Sequence, residues 1–244
     1  MSASARPNYG IDAPGVVRTM TLLALALIGA GLVLSAGATH GAVGARLSRM
    51  LFWPGASFAL TALLMVASSR YGKLRARDRL LDALSLRGSE TVLDVGCGHG
   101  LLLIGAAKRL ADGQAIGIDL WSQTDQYANS ADATMANARA EGVEDRVSVR
   151  SGDMRQLPLT DESVDVVVSS LAIHNVPTSA ERTQTIREID RVTRRGGRVG
   201  LLDIAHVSDY RRDLEQLGWR VVRSRYTPWI FPPTRELIAE KPAR

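Results

Sequence analysis

The chain has 244 residues, of which 45% are hydrophobic and 23% are charged, so it can bury a core without disulfide bonds or structural metals. Its only cysteine, Cys97, excludes an intrachain disulfide bond and points to a reducing compartment. The formal net charge of +5 favours contact with acidic surfaces, either lipid headgroups or nucleic acid, and does not choose between them.

Two long apolar runs dominate the first third of the sequence. Residues 1–15 are rich in proline, glycine and small polar side chains and are expected to be an irregular lead-in. Residues 16–69 are predicted to hold two transmembrane helices, at about 17–39 and 50–69, because each run has close to the twenty uncharged residues that cross a bilayer. A cleaved signal peptide would explain only the first run, and a buried hairpin of a soluble domain is the remaining alternative.

Small residues recur at four-residue spacing in and beside these runs, a pattern that suits close helix contact in lipid. The pairs are Ala26 and Ala30, Gly31 and Ser35, and Gly37 and Gly41. They would serve pairing within the hairpin or between subunits, which allows a homo-oligomer. Pro54 fits the first turn of the second helix.

A basic segment, residues 70–84, follows the second run. Five basic residues there outnumber the two in the short connection, so the chain is predicted to be an integral membrane protein whose C-terminal domain is cytoplasmic. The five are Arg70, Lys73, Arg75, Arg77 and Arg79. Their alternation with leucines predicts an amphipathic helix lying on anionic headgroups, although a solvated linker helix fits the same pattern.

From residue 85 to residue 244 the sequence alternates strand and helix signals. This order predicts an α/β domain with a Rossmann-like, doubly wound sheet of seven strands, mostly parallel, with an antiparallel strand pair at the C-terminus. The predicted strands are 92–95, 115–119, 146–150, 164–169, 198–203, 220–226 and 237–240. The predicted helices between them are 101–110, 131–141, 180–194 and 209–217.

Residues 91–100, TVLDVGCGHG, form a glycine-rich turn between the first strand and the next helix. Such a turn lets a ligand lie on the main chain beside a helix N-terminus, at the carboxyl edge of the sheet. Asp119, at the end of the second strand, has acceptors suited to both hydroxyls of a ribose. The spacing D-x-G-x-G-x-G differs from the G-x-G-x-x-G of dinucleotide folds, and no basic residue is placed to meet phosphates. A phosphate-free nucleoside is therefore favoured.

From about residue 81 onward the sequence resembles the class I S-adenosylmethionine-dependent methyltransferases. Residues 94–100 resemble the first motif of that family, residues 165–175 its fourth motif, and residues 195–198 the turn before its fifth strand. The resemblance implies the cofactor S-adenosyl-L-methionine, with S-adenosyl-L-homocysteine as product. The implied cofactor-binding residues are Asp94, Gly96, Cys97, Gly98, Gly100, Asp119, Leu120, Asp153, Met154 and Ser170.

The resemblance also implies a role for each of these residues. Asp94 would hold the amino group of the cofactor, the glycine turn would pass under its methionine part, and Asp119 would bind the ribose. Leu120, and less securely Trp121, would flank the adenine. Asp153 would accept from the adenine amino group with Met154 beside the ring, while Ser170 would lie at the mouth of the site. Alternatives stay open, since Asp153 could instead cap a turn, and Met154 and Trp121 could be core or surface residues.

Methyl transfer from a sulfonium is an in-line displacement, so positioning can supply most of the acceleration. His174, which follows the fourth strand, is the candidate general base, although a histidine there can equally pack or bind a loop. With four histidines and one cysteine, zinc-type ligand spacings are absent from the sequence, and no metal is expected.

The leading hypothesis is a membrane-anchored methyltransferase for a lipophilic small molecule or lipid. One alternative is a cofactor-binding membrane scaffold or sensor without turnover, and another is a protein or RNA methyltransferase. The segment after the fourth strand reads Ser-Ser-Leu-Ala where amino-methylating enzymes carry an N-P-P-Y-like sequence, and no base-reading tract is evident, so no nucleic-acid partner is predicted. Residues near the N-terminus, Asn129 and residues 229–233 are expected to wall the acceptor site.

Overall fold

A computed structural model describes residues 7–36, 41–122 and 129–243. The chain forms two compact units. One is a continuous segment, Ile11–Gly72, and the other combines Lys73–Arg244 with the residues up to Gly10. The first unit is therefore inserted between the N-terminal segment and the main body of the second.

The inserted unit consists of two apolar helices, α1 (Pro14–Ala36) and α2 (Gly41–Ala67), followed by a π-helical segment, Ser68–Gly72. The helices pack closely at glycines: a Cβ at Gly55 would lie 2.8 Å from Ile28 Cγ1, and one at Gly31 would lie 3.2 Å from the Ser48 carbonyl oxygen. The Ser48 hydroxyl donates to the Gly31 carbonyl at 2.9 Å. Gly31 belongs to the small residues singled out in the sequence, Gly55 does not, and Gly37 lies outside the described residues.

Both helices are long and apolar enough to cross a membrane, judged by length and composition alone. Only 11% of the most apolar window of the first helix and 17% of that of the second are buried. Leu25, Val33 and Trp53, for example, are at least two-thirds exposed. A helix in the core of a soluble protein would be mostly buried, so this exposure argues against that alternative.

The predicted helix boundaries were partly wrong. The second helix begins at Gly41 instead of residue 50, because Ala, Leu, Arg and Met between these points are good helix formers and two arginines do not end a helix. Pro54 consequently lies in the interior of α2, not in its first turn. The first helix ends at Ala36, and the last residues predicted for it lie outside the described part of the chain.

The basic segment after the hairpin is part of the second unit. Helix α3 (Lys73–Leu84) buries Leu80, Leu81 and Leu84 completely. Its leucines pack against two glycines of the domain: a Cβ at Gly200 would lie 2.8 Å from Leu84 Cδ1, and one at Gly105 would lie 2.8 Å from Leu81 Cδ1. The prediction that this apolar face lies on headgroups is therefore wrong, and the compact unit starts at Lys73, before the predicted boundary at residue 85.

The second unit contains a seven-stranded sheet with the order β3-β2-β1-β4-β5-β7-β6. Strands β1 to β5 are parallel, and β7 runs antiparallel between β5 and β6. This mixed, doubly wound sheet confirms the predicted architecture. The strands are β1 (Thr91–Val95), β2 (Gln114–Asp119), β3 (Val147–Ser151), β4 (Val164–Ser170), β5 (Thr193–Asp203), β6 (Arg220–Thr227) and β7 (Thr234–Glu240). The remaining helices are α4 (Leu101–Ala107), α5 (Ala131–Ala140), α6 (Ser179–Val192) and α7 (Val207–Gln216).

Alternate residues of each central strand feed two separate cores, one on each face of the sheet. Val92 packs with Leu80 and Leu102 on the face covered by α3, α4 and α5. Leu93 packs with Ile186 and Leu214 on the face covered by α6 and α7. The sheet is therefore buried on both sides, and its carboxyl edge is free to carry a site.

Two strands begin well before their predicted starts, β7 by three residues and β5 by five. β5 begins at Thr193, which pairs with Val164, and the ladder resumes only where Arg198 pairs with Val166. The intervening Arg-Gly-Gly turn is thus an irregularity inside the strand. Gly196 has φ +74° there, and its N–H lies 3.1 Å from the Lys241 carbonyl oxygen, a conformation that favours glycine.

Candidate functional site

The glycine turn links β1 to α4 and is tied to the end of β2. The N–H groups of Gly96 and Cys97 both donate to the Ile118 carbonyl, at 2.8 and 3.2 Å. Gly96 has φ +71°, and a Cβ added there would lie 2.3 Å from Ala172 Cβ. A side chain is excluded at this position, because Ala172 already fills the space beside the backbone.

Helix α5 supports the second half of the turn. The Thr134 hydroxyl, fully buried, donates to the Gly98 carbonyl at 2.5 Å. A Cβ at Gly100, where φ is +83°, would lie 2.9 Å from Thr134 Cγ2. Cys97 is buried with its sulfur against Gly117, and burial raises the pKa of its thiol, with the nearby Asp94 and Asp119 adding to the effect. Cys97 is therefore a neutral packing residue.

Asp94 lies beneath the turn and is 2% exposed. Its Oδ2 accepts the Leu103 N–H of the first turn of α4 at 2.8 Å. Burial raises the pKa of Asp94 to about 8, and the negative charge of Asp119 raises it further, against the lowering effect of the Leu103 hydrogen bond. The buried acid is protonated at neutral pH unless a cation is placed beside it. The site thus suits a ligand with a positively charged group.

Asp119 organises the end of β2. Its Oδ2 accepts the Gly98 N–H at 2.8 Å, and its Oδ1 accepts the Trp121 N–H at 2.7 Å and the Asn129 amide at 3.1 Å. A carboxylate has roughly four acceptor positions, so about one is left for an external donor. Two ribose hydroxyls would therefore have to displace the Asn129 amide.

Asp153 is engaged by a neighbouring arginine. Its Oδ1 accepts the backbone N–H of Arg155 at 2.8 Å, and its Oδ2 lies 2.6 Å from Arg155 Nη2. The hydrogen bond from Arg155 holds the pKa of Asp153 below its usual range. This geometry matches the turn-capping alternative for Asp153. Met154, by contrast, reaches the turn, because a Cβ at Gly96 would lie 3.3 Å from its Cε.

The other predicted cofactor residues lie at the same edge of the sheet. Leu120 follows β2 and is 61% exposed. Trp121 has φ +58°, and its indole N–H donates to the Ser151 hydroxyl at 2.8 Å, which holds the ring beside the end of β3. Ser170 is the half-buried last residue of β4. Leu120 is thus the one of these whose apolar side chain is open to a ligand.

His174 lies in a short 3₁₀ turn after β4 and faces Asp203, the last residue of β5. Its Nδ1 is 2.6 Å from Asp203 Oδ1, and its side chain is 20% exposed against 3% for Asp203. Asp203 is itself fixed, since it accepts the His174 N–H at 3.1 Å and the Ile204 N–H at 2.8 Å. A carboxylate in this position favours the proton on Nδ1 and leaves Nε2 as the basic nitrogen. The sequence interpretation did not assign Asp203 to the site, although the rule that ligands bind at strand ends would have found it.

The N-terminal strap, residues 7–10, also reaches the site. The Asn137 amide donates to the Asn8 carbonyl at 2.9 Å and to the His99 carbonyl of the glycine turn at 3.0 Å, while its Oδ1 accepts the Asn8 N–H at 2.8 Å. Tyr9 is buried, and the Lys73 ammonium donates to the carbonyls of Tyr9 and Gly10, both at 2.8 Å. These bonds hold the lead-in, which has no regular secondary structure over residues 7–13, against the second unit. Asn137, in the middle of a helix, carried no sequence signal.

Within the described residues, no group of three or more His, Cys, Asp and Glu side chains is arranged to hold a metal ion.

Comparison with known sequences identifies the central part of this domain. Residues 93–201 match the family described as a methyltransferase domain. A demethylmenaquinone methyltransferase from Lactobacillus johnsonii is 29% identical over 59% of this chain and 54% of its own length. The 27-O-demethylrifamycin SV methyltransferase of Amycolatopsis mediterranei is 36% identical over 53% of this chain and 44% of its own. The ubiquinone/menaquinone biosynthesis C-methyltransferase UbiE of Dinoroseobacter shibae is 30% identical over 66% and 58%. The chain spans about half the length of these curated relatives.

Solved structures share the fold. A SAM-dependent methyltransferase from Aquifex aeolicus superposes with a TM-score of 0.56 at 20% identity, over 69% of this chain and 90% of its own. The cyclase SpnF superposes with a TM-score of 0.60 at 20% identity, over 70% and 81%. These similarities show the fold. SpnF is described as a cyclase, so not every protein with this fold is named as a methyltransferase. The second unit therefore has the fold of these structures, and its residues 93–201 are similar to the methyltransferase-domain family.

Proposed function

We propose that the protein is a membrane-anchored methyltransferase that transfers a methyl group from S-adenosylmethionine to a lipophilic small molecule or lipid. One observation carries this proposal. The chain leaves the methyltransferase domain after Gly10, forms two apolar helices whose side chains are mostly exposed, and re-enters the domain at Lys73. A domain tethered in this way would meet acceptors that are dissolved in the bilayer.

The relatives support a small-molecule acceptor. Two of the three are named for demethylmenaquinone and for ubiquinone and menaquinone biosynthesis, and the third for a rifamycin. A quinone or a compound of similar hydrophobicity is therefore the acceptor class that we propose first.

The residues of the glycine turn and its two acids fit S-adenosylmethionine, which when bound supplies an activated methyl group on a sulfonium. Gly96 and Gly98 leave backbone exposed where the methionine part would lie. Asp94 offers a buried carboxyl that becomes charged beside an ammonium group, and Asp119 offers acceptors to a ribose once Asn129 withdraws. Asp153 would reach an adenine amino group only if its bonds to Arg155 rearranged.

His174 is proposed as the general base, with Asp203 as its positioning residue. As the methyl group is transferred, Nε2 of the neutral imidazole would take a proton from the hydroxyl group or the acidic C–H group of the methyl acceptor. The buried Asp203 would stabilise the resulting imidazolium. Its effect on rate is expected to be roughly 10²–10⁴-fold.

The domain is proposed to face the cytoplasm. More exposed basic residues lie at the open end of the hairpin than at its closed end. At the open end are Arg18, near the start of α1, and Arg70, Arg75 and Arg79, at or beyond the end of α2; at the closed end are Arg46 and Arg49. Lys73 and Arg77 are buried in the domain, so they add less to this asymmetry than the sequence suggested.

Labelled cofactor distinguishes the proposal from its rivals. The full chain in detergent should bind S-adenosylhomocysteine by calorimetry, and it should label a product in membrane extract and none in soluble extract. Asp119→Ala should abolish binding, while the matched Asp119→Asn, which keeps one acceptor oxygen, should weaken it less. If the chain binds S-adenosylhomocysteine but labels no product in either extract, the enzyme hypothesis is refuted and the scaffold or sensor hypothesis remains. Labelled protein or RNA would instead support the alternative of a protein or RNA methyltransferase.

A further inference from the structure

Two arginines of α3 stack on one tryptophan of the β6–β7 connection. The guanidinium carbon of Arg75 lies 5.2 Å from the centroid of the Trp229 ring, and that of Arg79 lies 4.9 Å from it. We call these three residues the Trp229 cluster. Residues 229–233, which were expected to wall the acceptor site, thus place the Trp229 ring against two exposed arginines of α3.

The two arginines carry charge that the described residues do not neutralise. The acids of α3 are engaged elsewhere: Asp78 pairs with Arg77 at 2.9 Å, and Asp82 pairs with Arg109 at 2.7 Å. In the described parts of the chain, no carboxylate forms an ion pair with Arg75 or Arg79, and both residues are exposed. Like charges four residues apart on a helix repel each other, so an anion bound between them would be stabilising.

The surroundings of the cluster are apolar and stiff. Tyr226, near the end of β6, is 65% exposed, and Pro228, Pro232 and Pro233 are exposed in the connection that follows. The Arg235 guanidinium carbon lies 4.6 Å from the centroid of the Tyr226 ring, and an exposed tyrosine beside an arginine is typical of surfaces at the level of lipid headgroups. A stacked guanidinium still has its in-plane N–H groups free to donate to phosphate oxygens.

Chain connectivity limits how far this cluster can lie from the proposed membrane segment. Arg75 and Arg79 follow Gly72, the last residue of the apolar unit, by three and seven residues. Seven residues of α-helix are about 10 Å long, and a headgroup layer is roughly 5–8 Å thick.

We propose that the Trp229 cluster binds the phosphate of an anionic phospholipid and so docks the methyltransferase domain on the bilayer surface. The inference rests on the proposed membrane anchoring and is independent of methyl transfer. An anionic lipid would occupy the gap between the two guanidinium groups, and Tyr226 and the prolines would rest among the headgroups.

Fluorescence quenching tests this docking with the full chain. The protein is reconstituted into nanodiscs of phosphatidylcholine alone or with 30% phosphatidylglycerol, both carrying a headgroup spin label, and the share of Trp229 is obtained by subtracting the Trp229→Phe variant. Quenching of Trp229 should be greater in the anionic discs and should fall at high salt. Each of Arg75→Gln and Arg79→Gln should lower the ratio of docked to undocked protein roughly five-fold. Arg211→Gln, which removes the same single charge from the exposed side of α7, is the matched control and should have no effect.

The outcomes separate docking from anchoring. The headgroup site is overturned if Trp229 is quenched equally in both lipids, or if the control variant loses as much docking as the Arg75→Gln and Arg79→Gln variants. The two arginines would then only cover the tryptophan ring. If the wild type does not float with phosphatidylcholine vesicles, the membrane hairpin is wrong. In that event, capture by phosphatidylglycerol vesicles that is lost in the Arg75→Gln and Arg79→Gln variants still supports the headgroup site, and no capture overturns it.

Discussion

The buried Asp94 makes the stability of the domain depend on pH in a predictable direction. Its pKa rises from 3.8 to about 8 on folding, mainly because burial disfavours the charged form. Between these two values the folded chain binds a proton that the unfolded chain has released. The contribution of Asp94 to stability is therefore fully present below about pH 4 and is lost as the pH rises towards 8.

The variant Asp94→Asn isolates this effect, because the amide has the shape of a protonated carboxyl and can still accept the Leu103 N–H. Between pH 5.5 and 7.5 the wild type should lose stability relative to the variant by about 1.4 kcal/mol per pH unit, or close to 3 kcal/mol over the interval. For a chain of this length, that corresponds to a relative shift in Tm of roughly 6–12 °C. The carboxylates with lowered pKa, such as Asp153 and Glu188, titrate below this window, and the histidines cancel in the comparison.

Thermal unfolding of both proteins in the same detergent, at half-unit pH steps, measures the difference. A wild-type curve that stays parallel to that of the variant across the window would mean that Asp94 is charged in the folded protein, and the reasoning would fail. Ligand binding gives a second readout, in which Asp94 releases a proton, whereas on folding it takes one up. S-adenosylhomocysteine carries an ammonium group, so its binding near pH 7 should release close to one proton from wild type and none from the variant, as calorimetry in two buffers of different ionisation enthalpy would detect. The variant should also bind it roughly 10- to 100-fold more weakly, the value of a charge-assisted hydrogen bond.

Three further changes test other parts of the molecule. Asp203→Asn and His174→Gln should each leave the affinity for S-adenosylhomocysteine within about two-fold but lower the turnover rate roughly 10²-fold or more. Asp203→Asn should also shift the dependence of the turnover rate on pH, and an unchanged dependence would refute the positioning role of Asp203. Asn137→Leu removes two hydrogen bonds to the strap and one to the glycine turn, so it should lower the unfolding free energy by about 2–3 kcal/mol and weaken cofactor binding. Asn8→Ala keeps the backbone groups that bond to Asn137 and should have neither effect. Gly55→Leu should force the two apolar helices apart and lower the free energy of unfolding by about 1–3 kcal/mol, as thermal melting would detect. Gly29→Leu should be tolerated, because a Cβ added at Gly29 meets no atom within 4 Å.

The sheet was predictable because its signals are local. Strands β1 and β4 are rich in valine, as expected for strands buried on both faces, and the glycines at 96, 98 and 100 mark the turn between β1 and α4. Asp203 was within reach of the same reasoning, since it ends a predicted strand next to β4. Its pairing with His174 depends on the strand order, which the sequence pattern alone does not determine.

Other features could not be predicted because their partners are distant or belong to the backbone. Lys73 and Arg77 read as part of a solvated basic run, yet both are buried. The partners of the Lys73 ammonium are two carbonyl oxygens more than sixty residues away, and carbonyl groups leave no trace in a sequence. Gly200 and Gly105 likewise make room for the leucines of α3, a fit that periodicity does not reveal.

The Lys73 contact leads to a last prediction, about how the domain can be separated from the hairpin. Lys73 is 3% exposed, and its ammonium is 2.8 Å from both the Tyr9 and the Gly10 carbonyl oxygens. The two points where the chain leaves and re-enters the domain are therefore held within one lysine side chain of each other. A chain that simply starts at residue 73 would lose the burial of Tyr9, worth roughly 2 kcal/mol, and would leave a buried ammonium without these acceptors, at a further cost of about 1–3 kcal/mol or more.

A loss of that size is a large part of the stability of a typical domain, so removal of residues 1–72 should give an unstable or aggregating protein. A chain in which Gly10 is joined to Lys73 by four Gly and Ser residues should instead fold, because such a linker spans roughly 10–12 Å and the junction requires about that distance. Circular dichroism melting and S-adenosylhomocysteine binding would compare the two. If the simple truncation is as stable as the linked chain, the strap is not part of the folded core, and the hairpin is an N-terminal appendage instead of an insertion.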